Sequence, residues 1–390
     1  MAPHPYDVFA GVEDLVPAGV ADHLRAVDLV DHHVHGHYNA ALDRREFEDA
    51  LNEGSTNPVP PHISMFESPL GVSIRRWCAP MLGLEPLASA EAYWEARSSF
   101  DAWSLARTLV GSAGVDTWVV DTGFVGDVLA TPQQLAAAGG GRSVEIVRLE
   151  TLLEGLVTRG VGADELAEAF RAELRGLPAE VVGAKTVAAY RCGLDIDWSR
   201  PTDDDVRASA ARLHDEGGKP RLTDPVLIAF AVHEALACEL PLQVHIGFGD
   251  RDLELDRADP LHLVPLLRDA PGHVPVMLLH CYPYHRQAGY LAQAFDQVHF
   301  DVGLAVNFLG AASSRLIAEA MELAPFAKQL YSSDAFGLPE LHVLGSILWR
   351  RGMGLTLGEW VRRGDWAESD ARDAVDLIAR SNAERVYRLT

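Results

Sequence analysis

One pattern limits the fold of this chain more than any other. Short β-branched runs alternate with longer segments of helical period along most of its 390 residues. The strand-like runs are AVDLVDHH (26–33), DTWVVDTGF (116–124), VEIVRLE (144–150), EVVGAKTVAAY (180–190), PLQVHIGF (241–248), VPVMLLH (274–280), QVHFDVG (297–303) and KQLYSSD (328–334). Segments such as ADELAEAFRAELRG and RLTDPVLIAFAVHEALACEL separate the later runs and carry helical periodicity. Apolar strands that alternate with helices imply a parallel sheet covered on both faces. Eight such units predict an α/β chain folded as a (β/α)8 TIM barrel. An open doubly wound sheet would need a glycine-rich phosphate turn after an early strand, and the sequence has none.

One interval breaks the rhythm. Residues 36–115 hold a turn-rich stretch, NEGSTNPVPPH, and then helical patterns around SPLGVSIRRWCAPMLG and ASAEAYWEARSSFDAWSLARTLVGSAG. Loops that follow barrel strands all emerge at the catalytic end. This helical insertion is therefore expected to form a partial lid over the mouth of a single barrel spanning 1–390.

Charge narrows the partners. Asp and Glu number 56 against 33 Lys and Arg, for a formal net charge of −23. Such a surface repels nucleic acid and anionic membrane. There is no run of eighteen apolar residues and no basic N-terminal region followed by an apolar core, so neither a spanning helix nor a secretory signal is expected. Cys78, Cys192, Cys238 and Cys281 share no short spacing and read as reduced thiols. The expectation is a cytoplasmic protein acting on a small molecule. Its helical tail DARDAVDLIARSNAERVYRL would pack on the barrel or on a second copy in a homo-oligomer.

The chemistry concentrates at strand ends. In LVDHHVHGHY, His33 and His35 are two apart and point to one face of a strand, where their imidazoles can share an ion. By the same parity Asp31 lies one step deeper on that face and can orient a histidine, whereas His32 points away. His37 has left the strand. Three later apolar strands each end in one polar residue: His245, His280 and Asp334. Taken singly, each has an ordinary structural reading, a hydrogen-bonded histidine or, for Asp334, a helix N-cap. Together they make the catalytic face a barrel needs. Lys185 lies on the fourth strand and is costly to bury unless paired. It reads as a metal or substrate contact, below the mouth if that strand runs to Tyr190. Arg191 and Arg76, with Tyr190, are candidate substrate contacts, because a guanidinium fork grips a carboxylate at two points. Arg148 and Glu150 end the third strand and would pair or line the pocket. Asp250 reads as loop structure, and Trp77, Trp94 and Trp103 as packing.

This constellation resembles the amidohydrolase superfamily, in which D-x-H-x-H on the first strand is joined by His on the fifth, His on the sixth and Asp on the eighth. SIRRWCAPMLG, IVRLET, AKTVAAYRCGLDI, LQVHIGFGDRDLELDRADPLHLVPLL and LYSSDA are similar to the amidohydrolase-2-type branch, which includes the domain fused to glutamine synthetase in fungi and plants. The resemblance implies that His33, His35, His245 and Asp334 ligate one or two divalent ions, zinc ahead of manganese. It makes Asp334 the general base, and His280 a second-metal ligand or the group that polarises the scissile bond. It also suggests a carboxylated Lys185 as a bridge between two metals. Three readings follow: hydrolysis of a C–N bond in a small carboxylate-bearing substrate, non-oxidative decarboxylation on the same scaffold, and non-catalytic metabolite binding.

Overall fold

Seven parallel strands follow one another in sequence order: β1 (Leu29–Val34), β2 (Val115–Asp121), β3 (Arg142–Arg148), β4 (Val181–Thr186), β5 (Leu242–His245), β6 (Val276–Leu279) and β7 (Val298–Phe300). The computed structural model describes residues 7–55, 57–123, 128–215 and 220–389. Phe124, the last residue of the expected second strand, lies outside them.

The eighth expected strand closes the circle without forming a regular ladder. Leu330 N–H donates to Phe300 O of β7, and on the other side His32 N–H donates to Tyr331 O and Asp334 N–H to His33 O of β1. Residues 329–335 thus bridge the first and last strands, as a closed barrel requires. Helices wrap the outside, the longest being Pro339–Arg362.

Two apolar cores lie between the sheet and its helices, and a third fills the barrel. The third contains Val30, Val119, Ile146, Met277, Leu279 and Leu330, with Ala383, Val386 and Tyr387 from the C-terminal helical segment. Val30 and Leu29 therefore face opposite sides, as strand alternation demands.

The strand register shifts at several points, one of them at an informative place. Asp31 pairs with Trp118 but Val34 with Val120, so β1 carries one extra residue between them. This is a β-bulge, and it re-aims side chains. Asp31 turns outward to Ser333, which donates to it from both N–H (3.0 Å) and Oγ (2.5 Å). His32 and His33 both enter the barrel. The parity expectation for Asp31 and His32 is thereby reversed.

The segment after β1 contains the helices Arg44–Ala50, Pro69–Trp77, Ala90–Ser98 and Ala102–Leu109. Each begins at a side-chain cap, supplied by Asp43, Ser68, Ser89 and Asp101. The segment is helical as its periodicity predicts.

Candidate metal centre at the barrel mouth

His33, His35, His245, His280, Lys185 and Asp334 converge at the C-terminal end of the strands. His33 Nε2 lies 3.1 Å and His35 Nε2 3.5 Å from Asp334 Oδ1, and His280 Nδ1 lies 3.3 Å from Asp334 Oδ2. The His245 ring stacks obliquely on His280, with centroids 4.8 Å apart. The geometry groups His33, His280 and Asp334, and also His33, His35 and Asp121, as sets close enough to share an ion.

Two of these side chains depend on unusual backbone. His280 (φ 69°) and Asp334 (φ 46°) are non-glycine residues in the left-handed region. Such strain persists only where surrounding contacts enforce it, and it concentrates at functional sites. Asp301 enforces the first: its Oδ1 accepts from His280 N–H (3.1 Å) and Gly303 N–H (2.7 Å). For Asp334, the backbone N–H donates to His33 O, and Ser332 Oγ donates to the same carbonyl.

The hydrogen bonds fix which imidazole nitrogens hold protons. Gln243 on β5 donates from Nε2 to His32 O (2.9 Å) and Tyr387 Oη (2.8 Å), so its Oε1 must face His33 Nδ1 at 2.8 Å. An amide oxygen only accepts. His33 therefore carries its proton on Nδ1 and presents the Nε2 lone pair to the mouth. His35 does the same, because Nδ1 donates to Asp121 O (3.1 Å). Tyr387 Oη bonds His32 Nδ1, and His32 Nε2 bonds Asp301 Oδ2, both at 3.0 Å. A single chain of bonds thus runs from His33 through Gln243, Tyr387 and His32 to the carboxylate that pins His280.

The charges agree with this tautomer assignment. Burial, assisted by the Lys185 ammonium, lowers His33 to about 4 and His245 to about 3, so both imidazoles are neutral. Burial also pushes His280 well below its ordinary value. Burial opposes the Asp334 carboxylate, so it calls for positive charge beside it. Two imidazole lone pairs thus face a carboxylate oxygen across hydrogen-bond distances. Asp334 Oδ1 and His245 Nε2 are buried without a hydrogen-bond partner among the described residues. This donor set fits a divalent ion, which would satisfy the orphaned atoms together.

Lys185 sits at the mouth, because β4 ends at Thr186 rather than Tyr190. Its Nζ lies 2.9 Å from His33 Nε2 and 3.2 Å from Asp121 Oδ2. Arg148 Nη2 also reaches Asp121 Oδ2, at 2.6 Å. Arg148 and Glu150 therefore do not pair with each other: Glu150 instead accepts from Thr186 Oγ1 and Val187 N–H. Sequence reasoning passed over Asp121 and Gln243. The signal for both was available, a polar residue inside an otherwise apolar strand.

The mouth opens into a cavity of about 440 Å³ lined by His35, Lys185, Tyr190, Arg191, His245 and Asp334, among others. Tyr190 packs on His245 with centroids 4.6 Å apart, and its Oη accepts from Asp250 N–H (3.3 Å). Gly249 permits this approach, since a Cβ there would lie 1.8 Å from Tyr190 Oη. Arg191 lines the cavity while Nη1 holds Glu154 at 2.8 Å. Arg76 is not brought here: its guanidinium stacks 4.2 Å over Trp77, and it does not line the cavity. Asp250 lies in a loop, as expected, and lines the cavity, and so do Tyr38, Asn52, Glu53 and Ser55 from the inserted segment. Burial, with Asp334 and Asp250 nearby, raises Glu53 to about 7. His37 is structural in its contacts: Nδ1 bonds Tyr38 O, and its backbone bridges Gly337.

An amidohydrolase family model matches residues 158–389, more than half of the chain, and takes in four of the six mouth residues: Lys185, His245, His280 and Asp334. The chain belongs to the amidohydrolase family. This amidohydrolase is also 33% identical to Protein fluG of Emericella nidulans over 226 residues, which is 54% of this chain but only 26% of fluG. Among solved structures, a protein of Lactobacillus casei ATCC 334 assigned as a metal-dependent hydrolase superposes with a TM-score of 0.80 at 26% identity, covering 94% of this chain and 96% of that one. A uronate isomerase of Thermotoga maritima shares the fold at a TM-score of 0.63 and 14% identity, covering 97% and 99%. The amidohydrolase is thus an enzyme of a metal-dependent hydrolase superfamily with a TIM-barrel fold. No described helix is long and apolar enough to cross a membrane.

Proposed function

We propose that this amidohydrolase hydrolyses a C–N bond, of amide or imine type, in a small substrate bound in the mouth cavity. The observation that carries the reading is the pair of Nε2 lone pairs, on His33 and His35, aimed at the Asp334 carboxylate by Nδ1 protons committed elsewhere. His33, His35, His245 and Asp334 would hold a divalent ion, with zinc the first choice for imidazole-rich donors and manganese the second. Bound there, the ion would lower the pKa of water and polarise the scissile carbonyl.

The chain's own residues do the rest. Asp334 accepts the proton of the attacking water as oxygen bonds to carbon. It returns that proton to the departing nitrogen as the C–N bond breaks. His280, on the other carboxylate oxygen, orients Asp334 and faces the reacting group. A carboxylated Lys185 would help to hold a second ion, and an unmodified one would face substrate as a cation. Arg191 and Tyr190 line the substrate's path, and the 36–115 segment covers it as a lid, excluding water.

Elemental analysis of purified protein tests the reading. It should show at least one divalent ion per chain, reduced in His33→Ala. A metal-free wild-type protein after reconstitution with zinc and manganese would sink it. Screening amides for amine release and aromatic acids for carbon dioxide release then separates the chemistries. Carbon dioxide without amine would replace hydrolysis by decarboxylation.

A further inference from the structure

A second cavity adjoins the first. It measures about 360 Å³, and its wall is formed by Leu51, Met65, Phe248, Tyr282, Phe308 and Leu309, with Asn52 and Glu53 shared with the catalytic cavity. The loops that build the metal centre build this one too. After β5, Asp250 lines the first cavity and Phe248 the second. After β6, His280 lines the first and Tyr282 the second, and after β7, Leu304 and Ala305 divide in the same way. Phe248 packs edge-on to both Phe308 (5.7 Å) and Tyr282 (6.4 Å), leaving three half-buried aromatic rings around open space.

Apolar surface left open at the catalytic end of a barrel needs a ligand to cover it. An apolar cavity of roughly 150 Å³ already accepts a benzene ring. We propose that this space is the subsite for an apolar arm of the substrate, of one- to two-ring size or the equivalent alkyl chain, carried on the group whose C–N bond lies at Asp334. The substrate is then amphiphilic: a polar head in the cavity lined by Lys185, Arg191 and Glu53, and an apolar arm between Phe248, Phe308 and Leu309. The assignment rests on the hydrolytic reading above for what anchors the head.

Hydroxamates chelate divalent ions through two oxygens, so an n-alkyl series from acetohydroxamate to octanohydroxamate tests it. Calorimetric titration of the metal-loaded protein should show affinity rising about three- to fourfold per added methylene. In Leu309→Asp and Phe308→Ser, the ratio of octano- to acetohydroxamate affinity should collapse toward one, with acetohydroxamate binding reporting that each variant is folded. A flat series in the wild type, with acetohydroxamate bound, overturns the subsite and leaves the metal reading intact. If acetohydroxamate does not bind, the metal reading falls instead. The arm is then read in the apoprotein with n-alkyl carboxamides, where the same length dependence supports the subsite and its absence overturns it.

Discussion

Two walls of the barrel mouth hold buried carboxylates in opposite ways. On the β2–β4 wall, Asp121 meets Arg148 at 2.6 Å and Lys185 at 3.2 Å, so its negative charge is matched inside the protein. On the opposite wall, formed by β1, the end of β6 and the closing segment, Asp334 meets only imidazoles, two of which turn lone pairs toward it. The first wall is complete as folded. The second is built around a positive charge that its own residues do not provide, apart from the edge that Lys185 reaches. Among the described residues, left-handed non-glycine backbone occurs on the second wall, at His280, Cys281 and Asp334, and not on β2, β3 or β4.

The largest test of that contrast is Asp334→Asn. The amide keeps the shape and loses the base, so turnover should drop about a thousandfold, while thermal unfolding of the metal-free protein changes little. A large loss of stability would show that Asp334 serves the fold as Asp121 does. The converse substitution, Asp121→Asn, removes a carboxylate that two buried cations share, and should cost about 3–5 kcal/mol in urea unfolding. An unchanged midpoint would erase the distinction between the walls.

A third prediction concerns what lies beneath the ligands. Gln243→Leu leaves the His33 Nδ1 proton without its acceptor, and should weaken metal binding by about 10–100-fold in chelator competition. If affinity holds, His33 does not need its tautomer fixed from below. The smallest effect belongs to Tyr387→Phe, which deletes one hydroxyl between Gln243 and His32 and should cost about 1 kcal/mol of stability. No change there would mean that Gln243 is held by His32 O alone.

Much of the candidate metal-ligand set was legible in the sequence. His245, His280 and Asp334 each end an apolar run, and that abrupt change of polarity marks the mouth of a barrel. His33 and His35 were legible as a pair. What misled was parity across the bulge: a single inserted residue turns Asp31 outward and His32 inward, and no periodicity records it. The first wall was harder to read. Arg148 reads in sequence as pairing with Glu150 or lining the pocket; it lines the cavity, and strand register delivers its guanidinium to Asp121. Lys185 would lie below the mouth if β4 ran to Tyr190, but the apolar run AAY, which continues β4 in sequence, belongs to a short helix and β4 ends at Thr186. Arg76 resembles a substrate clamp only until Trp77 is seen beneath it.

The hydrogen-bond chain that orients His33 joins the earliest strand to one of the last helical turns. His32 and its partner Tyr387 are 355 residues apart. At synthesis rates of roughly 5–20 residues per second, the interval between them is on the order of tens of seconds. For the last 144 residues of that interval Gln243 has been made but lacks the Tyr387 hydroxyl that helps to turn its amide. A correctly protonated ligand set is therefore a late product of biosynthesis, and an ion captured earlier by the nascent histidines would meet an unfinished site.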